Sequence, residues 1–534
     1  MTNATDDTPK QKGFLGFVER VGNGLPDPVF IFFYLIAILV VISIACSLFG
    51  VTADHPTQLD ADGQAVILKA QSLISSENIQ RLWVEMPKTF THFHPLGYVL
   101  VVMLGAGVAE RSGLFASGIR AAVRDAPKVL LTPVVAAVAM LSNHAADAGY
   151  VVMIPLAAII FASAGRHPMA GIAAAFAGVS GGFSANISPG QLDALLFGIT
   201  EAAMDGANLN VDWTMNIAGN WYFISALLVI YLPVIWYVTD KIIEPKLGKW
   251  KPSEEHANTY GKEDAPLTEA EKNGLGRAGL AIIGVVIVWG LMTLGPDTPL
   301  LDDGPGTEGQ PWYVTATPFF RSLVAAFFIL FLAAGWAYGS AAGTIKNHRD
   351  LVGMMSDAMK DLGYYLVLAF AAAHFVAMFN WSNLGLISAV HGADAIRSSG
   401  LPLPITLGFI VLFSALLNLF VGSSSAKWAL LAPVLVPMLL LLGISPEGAT
   451  ATYRVGDGAT NIISPLMVYF PLVLIFAQRW QKDFGLGSLT AMMIPYSIWM
   501  LVTGVVLIMI WMALGIPLGP GAPIDFQIPT PIGD

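Results

Sequence analysis

The chain has 534 residues, of which 55% are hydrophobic and only 12% charged. That charge content is about half that of an average soluble protein, so the composition fits a membrane. The net charge of −10 argues against nucleic-acid binding, and a single cysteine, Cys46, excludes a disulfide framework or a cysteine-based metal cluster.

In chain order, apolar runs of spanning length are expected at 27–49, 97–115, 220–240, 279–297, 319–340, 363–385 and 488–514. The first has no small-residue cleavage pattern behind it and is expected to be a retained helix rather than a signal peptide. Two further stretches, 129–200 and 404–478, are too long for two helices and too interrupted for three. Each is expected to form a re-entrant hairpin, at about 129–165 and about 404–445, then a broken helix, at about 169–200 and about 447–478. The expected fold class is therefore an all-α polytopic membrane protein with nine transmembrane helices, two re-entrant hairpins and two broken helices. Its halves are 27–240 and 279–514, separated by a cytoplasmic loop at 241–278 and flanked by 1–26 and 515–534. The loop at 50–95 is expected to be a surface segment, and no separate soluble domain is expected.

Loop charge sets the expected orientation. Lys10, Lys12 and Arg20 place the N-terminus in the cytoplasm. The same side then receives Arg111, Arg120, Arg124 and Lys128, then Arg166, then Lys241, Lys246, Lys249 and Lys251. Lys346, Arg349, Lys360, Arg479 and Lys482 follow on that side. The opposite loops, around 50–95, 201–219, 298–318 and 516–534, are poorer in Lys and Arg and hold acids such as Asp302 and Asp303. The C-terminus is thus expected in the periplasm of a bacterial inner membrane. With this parity the first hairpin enters from inside and the second from outside, which makes the copies inverted repeats. A two-helix reading of either stretch has the same parity.

Both interrupted stretches carry the same punctuation. The first has Ser142-Asn143-His144, Pro155, Pro168 and Asn186-Ile187-Ser188-Pro189. The second has Ser423-Ser424-Ser425, Pro433, Pro446 and Asn461-Ile462-Ile463-Ser464-Pro465. Paired interruptions in matching halves point to a transporter binding site, and their hydroxyl, amide and carbonyl oxygens suit sodium or a carboxylate-bearing solute. A lone Ser or Asn in a membrane helix is more often a local cap, but four clusters in two matching pairs outweigh that reading.

Asp193 follows the first break and Asp457 precedes the second, where a carboxylate is costly and usually functional, as an ion or proton carrier. The plainer alternative is an ion pair with Arg454 or a cap on a half-helix. Asp147 and Lys427 follow the two turns and are equally open to pairing with each other. Trp428 suits stacking on an aromatic solute, or anchoring at an interface. The Phe379-Asn380-Trp381-Ser382-Asn383 segment is expected to end a helix beside the cavity, and His144 and His374 read more readily as hydrogen-bonded structural residues than as proton carriers. Gly178-Val179-Ser180-Gly181-Gly182 fits a nucleophile elbow but lacks its strand, so close helix packing is expected there. The Asn-x-Ser matches at Asn186 and Asn380 fall at membrane depth, and no phosphate-binding loop is present to support ATP hydrolysis.

With these residues in hand, nearly the whole chain resembles the AbgT family of p-aminobenzoyl-glutamate transporters. The resemblance lies in residues 142–147 (Ser-Asn-His-Ala-Ala-Asp), 189–193 (Pro-Gly-Gln-Leu-Asp), 422–428 (Gly-Ser-Ser-Ser-Ala-Lys-Trp) and 453–461 (Tyr-Arg-Val-Gly-Asp-Gly-Ala-Thr-Asn). It implies a bowl-shaped homodimer that moves p-aminobenzoyl-glutamate or exports sulfonamide antimetabolites. By matching position it implies Asp193, Ser425, Trp428, Pro446 and Asp457 as functional residues; Asn143 of the first turn and Asn461 of the second break are substrate-binding candidates from their own amide groups. Sodium is implied near Ser424, Ser425, Asp457 and Asn461. More distantly, the paired turns resemble those of sodium-coupled dicarboxylate carriers. There His144 stands in place of a threonine, which leaves a first sodium site at Ser142, Asn143, Asn186 and Ser188 open against protons carried by Asp193 and Asp457. The expected function is secondary active transport driven by sodium or protons, with no other cofactor. An ion channel and an intramembrane hydrolase using Ser180 are the rivals from other classes.

Overall fold

The computed structural model describes residues 27–124, 127, 130–145, 149–209, 211, 213, 215–250, 266–294, 298–302, 312–464 and 466–526. The expected turn residue Asp147, Pro465 of the second break, Lys10, Lys12, Arg20, Lys128, Lys251 and Asp303 lie outside them. The first half runs α1 (Pro28–Leu48), β1 (Thr52–Leu59), β2 (Ala65–Lys69), α2 (Ser76–Thr91), α3 (His94–Arg111) and α4 (Leu114–Arg124). It continues through α5 (Leu131–Leu141), α6 (Ile154–Ser163), α7 (Pro168–Phe176), α8 (Gln191–Ala207) and α9 (Trp221–Tyr237). The second half comprises α10 (Glu269–Leu291), α11 (Leu323–Ala342), α12 (His348–Asp361), α13 (Gly363–Trp381), α14 (Leu384–Ser398) and α15 (Leu403–Asn418). It ends with α16 (Ser424–Leu441), α17 (Pro446–Asn461), α18 (Phe470–Gln478) and α19 (Leu486–Ala513).

Among the described residues, eight helices are long and apolar enough to cross a membrane. Seven coincide with apolar runs evident in the sequence, and the eighth is α16. The fold is predominantly helical, with one departure from all-α: β1 and β2 pair antiparallel, Thr52 opposite Lys69. Ala53, Ala70 and Leu73 tuck this region into the main core, so the segment after α1 is more than a surface loop. Helix α10 begins at Glu269, because Thr268 and Glu271 cap each other reciprocally; its polar first turns conceal that start in a hydropathy profile.

The helices around the site are short because the chain punctuates them. Helix α5 gives way to a tight turn at Ser142–Ala145. Helix α7 starts at Pro168 and passes into a π-helical turn at Ala177–Gly181. Helix α16 is capped by Ser423, whose hydroxyl accepts from the Ala426 amide, and α17 starts at Pro446 under a Ser445 cap. Arg166 holds the base of α5 to the end of α9, donating to Thr132 Oγ1 at 2.7 Å and pairing with Asp240 at 2.5 Å and with Glu244.

Of the apolar cores among the described residues, two frame the site. The smaller joins α3, α4, α10 and α11 through Ala106, Ala109, Leu114, Ala278, Phe331, Ala334 and Tyr338. The larger contains the duplicated segments, with α17 packed against α15 and α19, and α16 against α8. The expectation of close packing at Gly178 holds, since a Cβ there would meet Ala136 O at 3.0 Å as well as Ala139. In the smaller core a Cβ at Gly335 would lie 2.7 Å from the Ala109 backbone nitrogen, whereas one at Gly284 would meet nothing within 4 Å. Gly335→Ala should therefore cost about 1–3 kcal/mol and lower the thermal unfolding midpoint in detergent, while Gly284→Ala should leave it unchanged or slightly raised.

Candidate functional site

Helix α17 is buried from Pro446 to Asn461 although it carries Glu447, Arg454 and Asp457. Each ionised group there needs a partner, because an unpaired charge away from water is expensive. Asp457, wholly buried, bonds through Oδ1 to the Lys427 ammonium of α16. Lys427 also donates to Asn418 Oδ1, and the Asn418 amide donates to Asp457 O at 2.6 Å, Thr460 Oγ1 at 2.9 Å and Asn461 Oδ1 at 2.8 Å. Ser464 closes the network by donating to Asn418 O at 3.0 Å. Asp457 Oδ2 has no partner among the described residues.

Asp193 stands three residues into α8, and its Oδ2 accepts from the Gly190 amide at 2.8 Å. Its Oδ1 accepts from Arg454 Nη1 at 2.7 Å, so the carboxylate is both a helix cap and half of a buried ion pair. Arg454 thus pairs with Asp193, while Asp457 takes Lys427. The pair joins the helix after the first break to the helix before the second. A second link runs beside it: Trp428 Nε1 donates to Thr200 Oγ1 at 2.8 Å, and Thr200 bonds Thr450 at 2.9 Å. Trp428 is fully buried and stacks on Tyr453, ring centroids 4.5 Å apart.

At the first turn Ser142 and Asn143 donate to the carbonyls of Ala139 and Met140, at 2.6 and 2.9 Å. His144 Nε2 bonds Ser188 Oγ at 2.8 Å and so ties the turn to the first break, while Asn186 reaches Met140 O at 3.5 Å. At the second turn Ser424 bonds the Tyr453 hydroxyl, and Ser425 faces a small cavity between α3, α8, α13 and α16. The structure therefore brings Asp457 and Asn461 together through Asn418 but turns Ser424 and Ser425 to other neighbours. Pro446 opens α17 without a side-chain polar group of its own. Asn380 and Trp381 line a cavity of about 410 Å³ with His92, His94 and Asp205, and Asn383 ends α13 in the left-handed region at φ 60°.

Asn418, Thr200 and Glu447 were missed from sequence. Each has only a weak signal, one polar residue in or beside an apolar run, and nothing local shows which polar groups face each other. His374 Nδ1 donates to Phe370 O, 2.7 Å away, and Ser180 is buried with no partner among the described residues, so no serine–histidine pair forms around it there.

A membrane protein with a buried ion pair linking two interrupted, duplicated helices has the architecture of a transporter rather than an enzyme. The model of the AbgT transporter family matches residues 13–526, and the chain belongs to that family. It is 37% identical over 525 residues to the p-aminobenzoyl-glutamate transport protein of Escherichia coli K12, covering 98% of this chain and 99% of that one. Its structure is similar to that of the YdaH transporter of Alcanivorax borkumensis, at TM-score 0.83 and 39% identity, over 93% of this chain and 100% of the other. It is also similar to MtrF of Neisseria gonorrhoeae, described with a class of antimetabolite efflux pumps, at TM-score 0.86 and 38% identity, over 96% of this chain and 100% of the other.

Removing one partner of the Lys427–Asp457 pair strands the other charge in the core, which typically costs about 3–5 kcal/mol. Asp457→Ala and Lys427→Ala should each lower thermal stability in detergent by that order, and the double variant should be more stable than either single one. Additive losses in the cycle would show that the two groups are not coupled.

Proposed function

We propose that this protein is a secondary active transporter of aromatic carboxylates of the p-aminobenzoyl-glutamate type, of sulfonamide antimetabolites, or of both. The observation that carries the reading is the Asp193–Arg454 pair, whose partners come from different copies of the duplicated motif. The names of the Escherichia coli relative and of the MtrF structure support the substrate class. Residues 129–165 and 404–445 act as re-entrant hairpins, and with the two broken helices they form the moving unit of an inverted repeat. Nine helices cross the inner membrane, the N-terminus lies in the cytoplasm and the C-terminus in the periplasm. The α3–α10–α11 core serves as the scaffold of a homodimer, whose membrane-facing surface includes Leu280, Ile283 and Ile287, all exposed in the single chain.

Substrate binds between the two turns, near Asp193, Asn143, Ser425, Trp428, Pro446, Asp457 and Asn461. An arylamine or sulfonamide ring takes the place of Tyr453 on the Trp428 face, and the Arg454 guanidinium is suited to a carboxylate. Both sodium and protons remain coupling candidates, sodium at the oxygens of Ser424, Ser425, Asp457 and Asn461. Proton coupling is favoured, because the Lys427 ammonium already supplies the positive charge at Asp457 that sodium would bring.

The deciding experiment is flux of labelled p-aminobenzoyl-glutamate and a labelled sulfonamide into proteoliposomes under separately imposed sodium and proton gradients. Saturable, gradient-driven counterflow is expected, and a non-saturable conductance would favour a channel. Asp193→Asn should reduce that flux at least tenfold with the folded protein intact; normal flux would remove Asp193 from the site. Trp428→Ala should weaken binding of p-aminobenzoyl-glutamate by about 2- to 10-fold while leaving glutamate alone nearly unchanged, the range a lost aromatic contact supplies.

A further inference from the structure

We infer that Glu447 is an additional proton-carrying residue of this transporter, a neutral carboxylic acid set in its own cavity beside the Asp193–Arg454 pair. This rests on the reading of the chain as a gradient-driven carrier. Glu447 is only 2% exposed, in the first turn of α17. Its Oε2 accepts from Trp213 Nε1 at 3.0 Å, and its Oε1 has no partner among the described residues. No Lys, Arg or His among them lies within ion-pair distance of it. The positive end of α17 favours the ionised form, but one indole N–H and a helix end offset only part of the cost of burying a carboxylate. In the acid form Oε2 is the carbonyl that accepts from Trp213, and Oε1 carries the proton.

The surroundings are shaped to this side chain. A Cβ at Gly219 would lie 2.6 Å from Glu447 Cγ and 3.3 Å from Oε1, so glycine there leaves the space the carboxyl occupies. Glu447 lines a cavity of about 20 Å³ with Asp193, Arg454, Asn216 and Asn220, which has room for about one water molecule. Arg454 Nε is likewise buried without a partner among the described residues, and Asn220 touches both residues, donating to the Glu447 main-chain carbonyl at 3.0 Å and accepting from Arg454 Nη1 at 3.5 Å. Phe197, Asn216 and Ile217 also line a neighbouring cavity of about 200 Å³ that holds Tyr98, Glu201 and Arg321, and this offers the proton a way in and out.

The charged groups facing Glu447 are therefore Asp193 from α8 and Arg454 from its own helix, already paired with each other. Exposed Asp525 makes an isolated antiparallel bridge with Ile444, just before α17, and Glu201 and Arg321 stand across the second cavity. Loss of the proton from Oε1 leaves a second carboxylate beside Asp193 to compete for Arg454. Protonation of Glu447 thereby biases the ion pair that joins the two repeats.

Two measurements test this on the full-length protein. Infrared difference spectra of purified protein at neutral pH should show the carbonyl stretch of a protonated carboxyl group that Glu447→Gln lacks; the same band in both proteins, or in neither, would overturn the assignment. In proteoliposomes, Glu447→Gln should lose at least tenfold of proton-gradient-driven uptake and the pH dependence of the remainder, while Glu447→Asp should recover part of both. Uptake by Glu447→Gln with the wild-type pH profile would equally overturn it. If wild-type protein moves neither p-aminobenzoyl-glutamate nor a sulfonamide, the substrate reading fails alone, since the infrared band is read without substrate.

Discussion

A helix buried along its whole length that carries a glutamate, an arginine and an aspartate has to find a partner or a proton for each of them. Helix α17 sets that constraint, and much of the central structure answers it. Lys427 comes from α16 to meet Asp457, Asp193 comes from α8 to meet Arg454, and Trp213, Gly219 and Asn220 close around Glu447. Replacing ion pairs of this kind with well-packed apolar side chains is often neutral or stabilising, so stability alone does not account for them. They are better understood as contacts that specify which helices meet.

Lys427–Asp457 holds the second copy to itself, but other contacts interlock the two duplicated segments. Asp193–Arg454, Trp428–Thr200 and Thr200–Thr450 all cross from one copy to the other. The approach of Gly458 to the carbonyl of Gly181, where a Cβ would sit 2.9 Å away, is another such crossing. Any rearrangement that opens the space between the copies has to break or exchange these partners together. Packed interiors respond to such demands by switching between discrete arrangements, which is the behaviour a carrier needs. The smaller core of α3, α4, α10 and α11 contains none of these crossing contacts and can stay fixed while they change.

Much of this was legible one residue at a time. The apolar runs show seven of the eight long helices, and the Ser, Pro and Asn-Ser-Pro punctuation marks where the others stop, because caps and prolines act within a turn of their own position. Asp193 and Asp457 stood out as acids in apolar surroundings. Their partners do not: by sequence Arg454 suits either acid, and Lys427 suits Asp147, which lies outside the described residues, as well as it suits Asp457. Asn418 and Thr200 look from sequence like ordinary polar residues in helices, yet one is the hub of the second network and the other the bridge to Trp428. The β1–β2 hairpin and the early start of α10 escaped because their residues are mixed in polarity and a hydropathy profile responds only to long apolar runs.

The sequence by itself determined that this chain lives in a membrane, where its long helices run, that two of its stretches repeat one pattern of breaks, and which family it resembles. Each follows from local composition, spacing or motif. Only the tertiary structure decided which charge neutralises which, that Trp428 rests on Tyr453, and that Glu447 sits in a cavity beside Arg454 with one oxygen unpartnered among the described residues. The reason is physical: a break in a helix is made by neighbouring residues, but an ion pair between residues 193 and 454 exists only once the two copies have packed against each other.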